Sequence, residues 1–134
     1  MEHSVGPKGP LRATTGSLPY RGTSAGGGYS SVGDLLNFVN APTSHKLLNA
    51  HYTELLITGK VAMRRPGIKY ACGFEDELAS DGARCVGHGG GSPGMNGRLS
   101  PSPGSNYLVV ALANLDPPAT YDIARFIRDR LPLD

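Results

Sequence analysis

Glycine and proline set the first limit on this chain. It has nineteen glycines and eleven prolines in 134 residues, and they crowd into residues 1–29, 87–97 and 101–104. Proline lacks an amide donor and glycine gives up the most freedom on folding, so such stretches form neither long helices nor uninterrupted strands. The chain is therefore expected to build few regular elements joined by long ordered loops. With 39% hydrophobic and 18% charged residues, it has enough apolar material for one core, and residues 1–134 are read as a single domain.

Between the glycine clusters, three segments carry a period. Residues 1–30 show none and are read as irregular. Residues 31–58 are read as helical. Ser31-Val32-Gly33-Asp34 resembles a capping box with Asp in the place of Glu, and Val32, Leu35, Leu36, Phe38 and Val39 follow at helical spacing until Pro42 stops the run. Asn49 is a candidate N-cap for a second short helix from Ala50 to Thr58, with Tyr52, Leu55 and Leu56 on its buried face and Gly59 ending it.

Residues 69–134 are read as an antiparallel sheet plus a C-terminal helix. Tyr70–Phe74 and Arg84–Gly87 read as strands joined by the polar turn Glu75–Ala83, in which Glu75, Asp76 and Glu77 are expected to be solvated. Gly97–Ser100 and Tyr107–Ala113 read as a second pair, and the continuous apolar run of the latter suggests burial on both faces. Pro117-Pro118 opens a helix over 119–131 with Ile123, Ala124, Phe126, Ile127, Arg130 and Leu131 as its stripe. The fold class is α+β, with two short helices before the sheet.

Several function classes fall away on composition. Thirteen basic and eleven acidic residues give a net charge of +2, and Arg64-Arg65 is the only basic cluster, so no nucleic-acid partner is expected. No apolar stretch approaches the ~18 residues of a membrane span, and no membrane partner is expected. The N-terminus lacks a signal-peptide pattern; the compartment stays open, with the cytoplasm as the default. Neither a metal nor another cofactor is expected: His45 and His51 do not share a helix face, and Cys72 and Cys85 do not complete a zinc set. The two cysteines are equidistant from the expected turn and are placed across from each other, as buried thiols or a disulfide.

Four strings occur in an order that resembles one family. Arg21–Leu36 resembles the glycine loop and helix after the active-site tyrosine of the penicillin-recognising serine hydrolases, the β-lactamase and esterase superfamily. Tyr70-Ala-Cys-Gly-Phe-Glu75 resembles their Tyr-Gly-x-Gly-Phe strand, and His88-Gly-Gly-Gly-Ser-Pro-Gly-Met-Asn-Gly97 resembles their third catalytic motif with the turn after it. Leu108–Asn114, with Asp116-Pro-Pro118 and the last helix, resembles their final strands and C-terminal helix. The resemblance is to the C-terminal part of such a protein and implies a partial β-lactamase-like fold. At Pro101 and Ser102 the family has an apolar β-branched residue and an aromatic; Pro101 is expected to cut the strand short or confine it to an edge.

The family's chemistry needs a Ser-x-x-Lys nucleophile and a Tyr-x-Asn motif as well. Both are missing here. None of the eleven serines has Lys three places on, and none of the six tyrosines has Asn two places on, which would put both motifs upstream of Met1. Gly90-Gly-Ser-Pro-Gly94 also matches the Gly-x-Ser-x-Gly elbow, but no His follows Ser92 and no helix is signalled after it, so the match is read as chance.

By resemblance, Gly91 is then the residue whose backbone N–H would meet a developing oxyanion, a contribution of roughly 3–4 kcal/mol in an intact site. His88 stands where the family's Lys or His shapes the proton network, and Gly89, Gly90 and Ser92 line the substrate edge, with no Cβ on the glycines to block approach. The implied function is a truncated serine hydrolase acting, if at all, on small esters, lactones or amides. A non-catalytic remnant or binding or oligomerising module, and one half of a split hydrolase, are the alternatives. A homo-oligomer is expected, because sheet surface covered in the parent fold would be left bare.

Overall fold

Ser31 starts the first helix. Its extended backbone (φ −103°, ψ 162°) lets Oγ accept from the Asp34 N–H at 3.1 Å and donate to Asp34 Oδ2 at 2.8 Å. The computed structural model describes residues 3–4, 10–17, 21–78, 82–101 and 107–131, and there the chain is α+β as its periodicity implied. Helix α1 (Val32–Thr43) runs through Pro42 rather than stopping before it. A proline in the last turn removes only one intrahelical bond. The turn is closed by His45, which sits left-handed (φ 57°) while its N–H reaches Pro42 O at 3.0 Å and Lys46 N–H reaches Ala41 O at 3.1 Å.

Helix α2 (Ala50–Ile57) begins at Asn49, whose Oδ1 accepts from Tyr52 N–H at 3.0 Å. Its buried side is only partly the expected one: Leu56 packs inward as expected, together with Thr53 and Ile57, whereas Tyr52 and Leu55 are exposed. The core of Ala71, Phe74 and Val86 lies beneath Leu56 and Ile57, and the Thr53 hydroxyl is satisfied by Pro42 O at 3.1 Å. Gly59 follows the helix without a left-handed φ. It is needed instead for a close crossing, since a Cβ there would overlap Lys69 Cβ.

Residues 1–30 are less irregular than expected. Strands β1 (His3–Ser4) and β2 (Arg12–Ala13) pair antiparallel, and a 3-10 turn covers Thr15–Ser17. The main sheet is antiparallel throughout, in the order β3 (Val61–Ala62), β4 (Ile68–Tyr70), β5 (Glu75–Leu78), β6 (Arg84–Ser92), β7 (Met95–Pro101), β8 (Leu108–Ala113). Tyr70–Phe74 is thus not one strand. It breaks after Tyr70 into a turn closed by Ala71 N–H on Phe74 O at 2.8 Å, with Gly73 at φ 86°.

The acidic segment expected as a solvated turn is a strand. Glu75 and Asp76 gain arginine partners only from distant residues, and that pairing outweighs the poor strand propensity of acids. Residues 79–81 of that expected turn lie outside the described residues. The cysteines do not face each other: Cys72 is in the exposed turn and Cys85 is buried opposite Glu77, both as free thiols.

Strands β7 and β8 pair as expected, and Pro101 closes β7 opposite Leu108. That strand is interior to the sheet, so Pro101 ends it without placing it on an edge; Ser102 lies outside the described residues. Strand β8 is not buried on both faces, because Val109 is covered while Leu112 is 46% exposed. Helix α3 (Ala119–Arg128) packs on β7 and β8 through Thr120 and Ala124, leaving Ile123, Phe126 and Ile127 exposed. Helix α1 lies against β8 from the other face.

Candidate functional site

Strand β6 changes partners halfway. Arg84–Gly87 pair with β5, whereas His88–Ser92 pair with β7 only, so from His88 onward the edge toward β5 has no strand partner among the described residues. Every sequence-derived site residue lies on this half. The Pro93-Gly94 turn that follows leads straight into β7, with Gly94 at φ 76° and its N–H donating to Asp116 Oδ1 at 2.6 Å. A strand follows Ser92 and no helix does, which removes the nucleophile-elbow reading.

Alternation sorts the glycines by role. His88, Gly90 and Ser92 share a face with Gly97, Leu99 and Leu112; Gly89 and Gly91 share the opposite face with Asn96 and Arg98. A Cβ on Gly90 would meet nothing within 4 Å. A Cβ on Gly91 would lie 2.5 Å from Pro117 Cγ, 2.8 Å from Asn96 Nδ2 and 2.9 Å from Met95 O; on Gly89 it would press on the Arg98 side chain at 3.0 Å. Open space for a substrate therefore exists at Gly90, while Gly89 and Gly91 are glycine because the sheet packs tightly behind them.

Two cavities meet over the Gly90 face. A cleft of about 860 Å³ lies between His88, Gly90, Gly91 and Ser92 on the strand and Thr23, Ala25, Gly26 and Gly27 on the glycine loop, and Ser17 and Asn114 also line it. The loop holds its shape through paired bonds, Thr23 N–H to Gly26 O at 2.8 Å and Gly26 N–H to Thr23 O at 3.1 Å. An apolar cavity of about 710 Å³ adjoins it beneath α1 and α2, walled by Leu35, Phe38, Leu56, Phe74 and Leu99 and also lined by Cys72. His88, Gly90, Gly97 and Leu112 line both.

His88 is exposed, its ring in a T-shaped pair with Tyr70 at 6.2 Å between centroids. Ser92 is four residues further along the same face, roughly 13 Å at about 3.3 Å per residue, and so beyond the reach of that imidazole. The two do not form a nucleophile–base pair. Among the described residues there is no group of three His, Cys, Asp or Glu able to hold a metal ion.

Behind the site, buried charges fix the sheet. Glu75 pairs with Arg98, both almost fully covered; Arg98 Nε donates to Ser100 Oγ at 3.1 Å, and Arg65 approaches Glu75 at 3.8 Å. Arg65 and Arg98 both lie over the Tyr121 ring, at 5.3 and 5.5 Å. Arg84 holds Asp76 through both carboxylate oxygens, at 2.8 and 3.2 Å, and Gly59 N–H adds 2.9 Å. Burial pushes the Asp76 carboxyl up, but the Arg84 and Gly59 hydrogen bonds with the Arg84 charge outweigh it and hold it below the usual carboxylate range. Asn96 reaches across the hairpin, donating to Gly90 O and accepting from Thr120 N–H, both at 2.8 Å. It caps α3 where Pro118 has no side-chain donor or acceptor to do so.

The sequence reading pointed to His88–Ser92, gave no site role to Asn96 or to Thr23, Ala25, Gly26 and Gly27, and weighed Cys72 only as a thiol paired with Cys85. Asn96 carries no periodic signal. Its role depends on the registry of β6, β7 and α3.

No protein-family model and no curated protein matches this chain. Solved structures do. A penicillin binding protein from Bacillus halodurans superposes with a TM-score of 0.84 and 29% identity over 97% of this chain. A D-stereospecific amidohydrolase from Streptomyces sp. superposes with a TM-score of 0.55 and 24% identity over 65%, a likeness of fold alone. The chain spans 39% of the first and 26% of the second.

Proposed function

We propose that this chain, which shares part of the fold of the penicillin-recognising serine hydrolases, binds small esters, lactones or amides along the free edge of His88–Ser92 and hydrolyses activated ones slowly. The supporting observation is the change of partner in β6, which leaves that edge open above a cleft floored by Gly90. Along an antiparallel ladder alternate N–H groups point away from the paired strand. In this reading Gly91 supplies such an N–H to the carbonyl oxygen as negative charge develops, and His88 acts as general base. Gly89, Gly90 and Ser92 shape the substrate's path.

No Ser-x-x-Lys is present in the sequence, so the family's own acyl-enzyme chemistry is outside its reach. General base action alone gives about 10²–10⁴-fold over water. The test is hydrolysis of p-nitrophenyl acetate and nitrocefin by purified protein, with His88→Ala alongside. A rate in that range, lost in the variant, supports the reading; a rate unchanged by His88→Ala sinks it.

A second reading, an oligomerising module without turnover, is favoured by one feature. Strand β8 is the end of the sheet order, and Leu112, Ile123, Phe126 and Ile127 beside it are exposed. A second copy pairing along this edge would cover them.

A further inference from the structure

We infer that Cys72 is the acyl-accepting nucleophile of this site, with His88 as its base. The inference rests on the reading of the His88–Ser92 edge above and adds the group that the missing serine leaves unassigned. Three observations carry it. Cys72, His88 and Gly90 line one cavity, whose remaining wall, Arg98 apart, is apolar and suited to the acyl part of an ester. Glu75 is opposite Gly87, so Phe74, the residue before it, comes abreast of His88, and the Ala71–Phe74 turn carries Cys72 to the place where β6 loses its partner. The turn is pinned there by Cys72 N–H on Leu56 O at 3.1 Å, and Tyr70 at its base touches the His88 ring.

The two thiols also differ in access, although it is Cys85 that has a cation beside it, the Arg128 guanidinium. Cys72 is exposed, whereas Cys85 is 3% exposed and packed in the sheet with its sulfur 4.0 Å from Pro101 O. A thiolate is nucleophilic where a lone serine hydroxyl is not, and an imidazole that reaches it across the shared cavity is sufficient to generate it.

The step balances within the cavity. His88 takes the Cys72 S–H proton, the sulfur bonds to the carbonyl carbon, and the C–O bond to the alcohol breaks. The alcohol leaves with the proton from His88, and Cys72 holds a thioester. Water then attacks the thioester carbonyl, its proton passing through His88 to the departing sulfur, and the carboxylic acid is released.

Two measurements on the whole chain test this. In the first, native protein reacts with limiting iodoacetamide near neutral pH, followed by peptide mapping. Cys72 is alkylated first, Cys85 only after unfolding, and His88→Ala or His88→Gln slows Cys72 about ten-fold. Because His88 is exposed, these variants are expected to fold, which circular dichroism verifies. Equal alkylation rates in wild type and both variants overturn the pairing.

In the second, p-nitrophenyl acetate reactions are quenched in acid and mapped for an acetyl group on Cys72. A thioester there, with the rate lost in Cys72→Ala, supports the inference. A rate kept by Cys72→Ala but lost in His88→Ala overturns it and leaves His88 acting on water. If no ester is turned over, the proposed activity fails, and the alkylation rates alone decide whether His88 activates Cys72.

Discussion

Gly90 and Gly91 are adjacent, yet the structure gives them opposite responses to the same added methyl. In Gly90→Ala the new Cβ enters open space, and Gly90 is not among the positive-φ glycines. Removing glycine's freedom from the unfolded chain then stabilises the protein by about 0.4–1 kcal/mol. The methyl projects into the cleft, however, and moves the carbonyl off the edge. A displacement of roughly 1 Å lowers a positioned reaction by about 10²-fold. In Gly91→Ala the Cβ meets Pro117, Asn96 and Met95 O at 2.5–2.9 Å, so the β8–α3 connection or the hairpin must shift. Overpacking of this kind costs about 1–3 kcal/mol, or very roughly 3–10 °C in Tm for a chain of this size. Thermal and urea unfolding of both variants, with p-nitrophenyl acetate rates, separate the effects. Gly90→Ala should be as stable as wild type or more so, and poorly active; Gly91→Ala should unfold earlier. A Gly90→Ala protein destabilised by more than about 1 kcal/mol would refute the assignment of faces on β6.

Glu75→Ala leaves the Arg98 guanidinium buried without a counter-charge and should cost about 3–5 kcal/mol in urea unfolding, while Glu75→Met with Arg98→Met recovers most of that loss. A loss below about 1 kcal/mol, typical of exposed pairs, would show that Glu75 is solvated after all. Asp76 has a depressed carboxyl in the folded state, so its contribution is present above the unfolded value near 3.9 and disappears as pH falls through the lower folded value. Asp76→Asn should therefore be less stable near neutrality but flatten the acid limb of the stability–pH curve below about pH 4, and an unaltered limb would count against the Arg84 pairing. Light scattering at rising concentration should report a dimer or larger species; a monomer throughout would remove the proposed pairing along β8.

Local chemistry alone determined a good part of this protein. Ser31 and Asn49 start helices because a short polar side chain placed before an apolar run satisfies free N–H groups wherever it occurs. The pairing of Gly97–Ser100 with the apolar run ending at Ala113 followed from strand-forming residues close in sequence. The order of the four motif-like strings, from the glycine loop at Arg21 through His88–Gly97 to the last strand and helix, likewise pointed to the fold.

What the tertiary structure decided depends on partners far along the chain. Glu75 and Asp76 look like solvated turn residues until Arg98 and Arg84 are placed beside them, 23 and 8 residues away. The inward face of α2 was set by the core formed from Ala71, Phe74 and Val86, not by its own weak pattern, which offered Tyr52 and Leu55 equally well. Three consecutive glycines, 89–91, are identical as letters. Only the registry of β6 on β7, with Pro117 and Asn96 behind, makes Gly90 open and Gly91 closed. Cys72 and His88 line one cavity because β6 leaves β5 at Gly87, a change of strand partner that no local period encodes, since hydrogen bonding between strands is settled by the whole sheet.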